Sequence, residues 1–256
     1  MKINRYRKTY AERKIKRLKI TIITTVILII GLLAAMVLFV TKNIQANKIP
    51  DLETVSQFEH TQVATEEDNS KLLTLVNFDH QIPDTFALNL VDYASVKCDK
   101  ILVDMLNKMF EQAKQLGYNF TVTKGYVDKE TQQAAHDELV NAHLANGLSD
   151  VSAEEEASKV EPQGGCSDLQ TGLTVEINLA DSDGSVAFET TPAYKWLYSN
   201  CIDYGFIQRY PEDKVSETRA NFNPYRYRYV GVENAQKMRR LNMSFEKYYD
   251  YINSRS

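Results

Sequence analysis

Apolar positions beyond residue 70 recur at helical spacing in some stretches and alternate in others. Within Val96–Gly117 they fall at Ile101, Leu102, Met105, Leu106, Met109, Phe110 and Ala113, one stripe down a helix that Gly117 can stop. Tyr118–Thr123 (YNFTVT) alternates and predicts a strand. Asp128 is placed to cap a second helix that runs to about Ala145 and is closed by Gly147. The stretch from Leu148 to Pro162 is polar and acidic, with no stripe. Thr174–Leu179 (TVEINL) alternates again, with Val175, Ile177 and Leu179 on one face and Thr174, Glu176 and Asn178 on the other. Thr191 and Pro192 open a third helix that reaches Tyr204 before Gly205. In Tyr225–Val230 (YRYRYV) a strand carries Tyr225, Tyr227 and Tyr229 on one side and Arg226 and Arg228 on the other. Short helices from about Glu233 and Phe245 complete an α+β domain over residues 71–256.

The pattern before residue 71 differs. Ile20–Val40 is an uncharged, mostly apolar run of 21 residues, which as a helix spans roughly 30 Å, the thickness of a bilayer's hydrocarbon core. Residues 1–19 hold nine Lys/Arg against Glu12 alone. The run is longer than a signal peptide's apolar region, and FVTKNIQANK lacks a small-residue cleavage site, so the segment predicts a retained single-pass anchor in the cell membrane. The positive-inside rule puts the N-terminus in the cytoplasm and the C-terminal domain outside. Residues 41–70 predict an acidic extracellular tether: Asp51–Ser70 has six acidic residues, no Lys or Arg, and too little apolar surface to offset ordering entropy.

The chain has 256 residues, 43% hydrophobic and 25% charged, with a net charge of −4. Because the first 19 residues contribute +8, everything after residue 40 carries −12. So acidic a domain excludes nucleic-acid binding by phosphate neutralisation. Three cysteines, Cys98, Cys166 and Cys201, fall in the exported part and permit one disulfide; free buried thiols are the expected state. Among the four histidines, His60 lies in the tether and His80 near the start of the domain. His136 and His143 are seven apart on one helix, roughly 10 Å along its axis. They are expected to be solvated helix-face residues and not partners on one metal ion.

Four stretches, LGYNFTVTKGYVDKETQ, GCSDLQTGLTVEI, YGFIQRYPEDK and NPYRYRYVG, resemble the VanY-type D-alanyl-D-alanine carboxypeptidases in order and spacing. The resemblance covers nearly all of residues 75–256. It implies a small mixed or antiparallel sheet packed with helices, and a zinc site that trims cell-wall stem peptides. Ser167, Gln170, Thr171 and Gly172 match the family's second motif, and Pro224, Arg228, Tyr229, Val230 and Gly231 match its last. The chemical positions do not match. Zinc ligands of the family fall on Leu169, Glu176 and Arg226, its general base on Asn223, and its substrate-holding arginine on Val127.

Leucine has no donor atom, and a guanidinium has no lone pair and brings a fixed positive charge to a cation's place. Hydrolytic zinc needs three protein ligands and an open position for water. Asn223 cannot take a proton from such a water, and Val127 cannot pair with a carboxylate. No catalytic constellation is intact, and zinc is expected to be absent. Cys166 beside the old site lacks a histidine base at a recognisable spacing. An ion pair between Arg226 and Glu176, joined by Asp168, is the expected replacement for the metal, with Leu169 as an apolar plug as the alternative. Ser167, Gln170, Thr171 and Arg228 remain as candidate ligand contacts. The first functional reading is a membrane-anchored, inactive carboxypeptidase-like protein that binds wall stem peptide or a wall-enzyme partner. The others are an active D,D- or L,D-carboxypeptidase with a non-standard metal site, and a structural or regulatory membrane protein without a wall ligand.

Overall fold

In the computed structural model, residues 70–254 are described. The basic segment 1–19, the apolar run Ile20–Val40, and the tether with its His60 lie outside the described residues, apart from Ser70. Among the described residues no helix is long and apolar enough to cross a membrane.

Among the described residues the first two strands, β1 (Leu90–Tyr93) and β2 (Val96–Asp99), form an antiparallel hairpin. The predicted helix therefore begins later than Val96, as α1 (Lys100–Gln115). Asp99 sets that boundary: its buried carboxylate accepts from Ile101 N at 3.1 Å, capping the helix, and from Asn89 N and Lys71 Nζ. The alternation of Val96 and Cys98 belongs to the strand, whereas the stripe of Leu102, Leu106, Met109 and Ala113 is fully buried on the helix.

Next come β3 (Phe120–Lys124), α2 (Lys129–Ala145) and α3 (Asp150–Ser158). Asp128 caps α2, accepting from Thr131 N at 2.7 Å, as predicted. Helix α3 went unread in the sequence because its buried face is only Ala153 and Ala157, one turn apart in an acidic surround. It rests on α2, with Ser149 as its cap. Then follow β4 (Thr174–Leu179), α4 (Pro192–Asn200), β5 (Phe206–Tyr210), the single turn α5 (Val215–Thr218), β6 (Asn223–Tyr229), α6 (Val232–Leu241) and α7 (Phe245–Asn253). Helix α4 ends four residues before the predicted Tyr204, and Cys201–Tyr204 tighten into a 3₁₀ turn closed by Gly205. Strand β6 starts two residues before the predicted Tyr225.

The main sheet is antiparallel throughout, in the order β3-β4-β6-β5. One face carries Val175, Ile177, Tyr227 and Phe206 into a core with α1 and α4. Each large side chain buried there contributes about 1.5–3 kcal/mol. The other face carries Thr174, Glu176, Arg226 and Arg228. Register partners across antiparallel strands share a face, and Glu176 lies opposite Arg226 while Thr174 lies opposite Arg228. The α+β class and the antiparallel sheet packed with helices agree with the sequence. Strand β5 did not show as an element, because both its faces are covered and FIQRY has no alternation to read.

Candidate functional site

The turn before β4 is built by its own polar side chains. Residues Asp168–Thr171 form one 3₁₀ turn, and Gly172 leaves it with φ 68°. A Cβ at 172 would lie 2.8 Å from Leu90 Cδ2, which would have to shift, and the left-handed backbone strains any residue but glycine there. Gln170 Oε1 accepts from Gly165 N at 2.7 Å. Thr171 Oγ1 donates to Asp168 O, accepts from Leu173 N, and accepts from Arg228 Nη1 at 3.2 Å. Arg228 also donates to the carbonyls of Leu72 and Thr74, tying the start of the domain to the sheet. Ser167, Gln170, Thr171 and Arg228, the candidate ligand contacts, are all buried. The hydrogen bonds of Gln170 and Thr171 shape this turn, and those of Arg228 tie it to the segment at Leu72 and Thr74.

Asp168 and Arg226 occupy the centre. Arg226 is 2% exposed and donates from Nε and Nη2 to Glu176 Oε1 at 3.1 and 2.7 Å. Its Nη1 lies 3.8 Å from Asp168 Oδ1. The expected ion pair is thus present, joined by Asp168. Leu169, fully buried, is apolar filling as well. Asp168 accepts from Thr174 Oγ1 at 3.0 Å and lies 3.5 Å from Arg209 Nε. Arg209 in turn makes a two-pronged pair with Glu246 of α7, at 3.1 and 2.6 Å.

Burial alone would lower the pKa of Arg226; the carboxylates of Asp168 and Glu176 outweigh it and raise it. For Arg209 burial is outweighed by Glu246, Tyr210 and Asp168. Arg228 has no carboxylate in contact. Burial pulls it down to about 10, with Arg209 adding to the shift, which leaves it charged at neutral pH.

The remaining family positions are also accounted for. Asn223 Oδ1 accepts from Tyr225 N and Arg226 N, and its Nδ2 lies 3.5 Å from Glu176 Oε1. Val127 is half-buried and offers nothing polar. Lys124 pairs with Glu161 at 2.8 Å. Burial pushes the Glu161 carboxyl up, but hydrogen bonds from Lys124 and Gln132, then the charges of Lys124 and Arg226, bring it below its ordinary value. The cavity left beside Arg226, bounded by Lys159, Pro162, Tyr210, Asn221 and Asn223, holds about 60 Å³. That is room for a few waters, well under the roughly 300 Å³ at which small-molecule sites begin.

This donor set does not fit zinc. Of Leu169, Glu176 and Arg226, on which the resemblance would put zinc ligands, only Glu176 offers an oxygen, and both Nε and Nη2 of Arg226 hold it. Among the described residues, no group of three His, Cys, Asp or Glu is arranged to hold a metal ion.

His136 is not a solvated helix-face residue. It is 1% exposed, with Nδ1 2.7 Å from Glu161 O and Nε2 2.9 Å from Glu154 Oε2, so it pins α3 and the following loop to α2. The loop at 159–162 folds back over α2, a placement that helical periodicity cannot foresee. His143 is half-buried, and His80 bonds Asn77 near the domain's start. Sequence reasoning missed Arg209, Tyr210 and Glu246 altogether. The RY of YGFIQRYPEDK was on view, but nothing local linked it to Glu246.

Cys98, Cys166 and Cys201 are free and buried, as expected. Burial, with Asp99 adding, pushes Cys98 up to about 11, and burial pushes Cys201 up to about 12. An unfolded thiol ionises near about 8.5. The neutral thiols therefore contribute stability that is complete below about pH 8.5 and is lost as pH rises through 11 to 12. Urea melts are expected to show a midpoint that falls steadily above that pH. A thiol-reactive dye at pH 8 should label the native chain slowly and all three cysteines after unfolding. Rapid native labelling of Cys201 would contradict this.

Residues 95–232 match the VanY family, described as D-alanyl-D-alanine carboxypeptidase. A D-alanyl-D-alanine carboxypeptidase of Enterococcus faecalis is 35% identical over 177 residues, covering 69% of this chain and 65% of that protein. The chain thus spans just under two thirds of that relative's length. A VanY D,D-pentapeptidase point mutant from the VanB-type resistance cassette, solved in complex with Zn(II), is similar in structure with a TM-score of 0.63. It is 34% identical, over 70% of this chain and 98% of that one. VanYB in complex with D-alanine-D-alanine gives a TM-score of 0.64 at 34% identity, over 70% and 97%.

Proposed function

Since this chain belongs to the VanY family of D-alanyl-D-alanine carboxypeptidases, we propose that it is a membrane-anchored, catalytically silent member of that group of peptidoglycan peptidases. It acts outside the cell by holding wall stem peptide or a wall-enzyme partner, without cleaving either. One observation carries the reading: the Arg226 guanidinium sits 2.7 Å from Glu176, a fixed cation paired with a carboxylate at two positions where the resemblance implies metal ligands. A hydrolase of this kind needs water polarised by a metal and a base to take its proton. Here Leu169 and Asn223 supply neither. The apolar run Ile20–Val40 and its basic flank support the anchor.

The test is zinc content. The full chain, purified in non-ionic detergent and supplied with zinc, is expected to retain none and to release no D-alanine from a wall pentapeptide. A quadruple variant, Leu169→His, Glu176→Asp, Asn223→Glu and Arg226→His, is expected to take up one equivalent. Stoichiometric zinc in the unaltered chain, together with D-alanine release, would establish the alternative of an active enzyme with a non-standard metal site. Co-sedimentation with purified peptidoglycan tests the binding part separately.

A further inference from the structure

A second cavity, of about 360 Å³, opens where β5 ends, and its size falls within the range of small-molecule sites. Its walls are Tyr194 and Tyr198 of α4, then Gln208, Pro211, Glu212 and Asp213. Gln208 lies opposite Tyr227 in the sheet register, so it points to the face away from Arg226 and Arg228. The cavity is therefore separate from the inherited site.

Its aromatic wall is fixed in advance. Tyr194 donates its hydroxyl to Gln208 Oε1 at 3.1 Å, and Gln208 Nε2 is held in turn by Asn223 O. Phe188 meets the Tyr194 ring edge-on at 5.6 Å. The rings of Tyr194 and Tyr198 stack 6.0 Å apart and 25° from parallel, and both line the cavity with little ordering left to lose. One face of Tyr198 already takes a cation, the Arg239 guanidinium, 4.7 Å from the ring.

The polar wall is negative. Glu212 forms no ion pair among the described residues, while Asp213 shares its charge with Lys214 at 3.3 Å. Neither Lys nor Arg lines the cavity. Burial raises the Tyr194 phenol above its ordinary pKa against the Gln208 bond, with Tyr198 and then the Glu189 and Glu212 carboxylates adding to it.

We propose that this cavity binds an organic ammonium group, seated against the Tyr194–Tyr198 platform with Glu212 and Asp213 as its counter-charges. Aromatic faces attract cations through their quadrupole, and the two carboxylates favour a cation over a neutral sugar and reject phosphate or carboxylate ligands.

Choline is the probe, with 3,3-dimethyl-1-butanol as its uncharged isostere. Calorimetric titration of the full chain in non-ionic detergent, at constant ionic strength, should give saturable millimolar choline binding and none for the alcohol. Glu212→Gln and Tyr194→Leu should each weaken binding about five-fold or more, and Tyr194→Phe, which keeps the ring, should retain it. The titration reads neither metal content nor D-alanine release, so its outcome is independent of the zinc experiment above. Equal binding of both probes, no saturable choline heat, or affinity indifferent to Glu212→Gln and Tyr194→Leu in variants that melt like the parent would each overturn the proposal.

Discussion

An Arg226→Ala chain is expected to lose about 3 kcal/mol or more of folding stability, because removing one member of a buried ion pair strands the other. Arg226 is 2% exposed, and its loss leaves Glu176 with only the long bond from Asn223 Nδ2 at 3.5 Å, and Asp168 without one of its two guanidinium neighbours. For a domain of this size the drop corresponds to roughly 6–12 °C in Tm. The cavity left behind is bordered by carboxylates, so guanidinium at low millimolar concentration should raise the Tm of Arg226→Ala while leaving the parent unaffected or slightly lowered. An Arg226→Met/Glu176→Gln double variant should recover much of the loss, since neither charge then remains buried. A drop below about 1 kcal/mol, with no response to guanidinium, would mean that the pair is ordinary surface chemistry.

The second large effect belongs to Asp168. It is fully buried, with Arg209 at 3.5 Å and Arg226 at 3.8 Å on its two oxygens, and Thr174 donating at 3.0 Å. Asp168→Ala leaves three buried guanidinium groups, of Arg209, Arg226 and Arg228, facing only Glu176 and Glu246. A loss of about 3–5 kcal/mol is expected, enough to deplete the folded population of a marginally stable domain. Asp168→Asn keeps the side chain's shape and its bond from Thr174, so its cost isolates the charge. Arg228→Met should cost less than either, because Arg228 donates to Thr171 and to main-chain carbonyls and has no carboxylate partner. Denaturant midpoints of the three variants order the effects. A milder Asp168→Ala than Arg228→Met would refute the electrostatic account.

Several elements were legible because their cause is local. Val175 and Ile177 alternate with Thr174 and Glu176, and the sheet buries one set against apolar neighbours and the other against charge. Asp128 caps α2 because its carboxylate reaches an N–H three residues on, whatever surrounds it. Gly117 and Gly205 adopt the left-handed conformation that ends a helix. Elements went unread where the cause is distant. Val96 and Cys98 extend the stripe of α1 on paper, but Asp99 turns its carboxylate to Ile101 and Asn89, and the residues before it pair with β1. His136 read as exposed on a polar helix until α3 and the 159–162 loop covered it.

By itself the sequence determined which donor atoms Leu169 and Arg226 can offer. Whether Leu169 or Arg226 can grip a divalent ion depends on the atoms they carry, and no fold supplies a lone pair that a side chain lacks. Tertiary structure alone decided which partners the buried guanidinium groups take. Arg226 meets Glu176 across 50 positions of chain, and Arg209 meets Glu246 across 37. Such partners are chosen by strand register and by the docking of α7, through contacts whose free energy is shared over the whole core and leaves no periodic trace in the residues that make them.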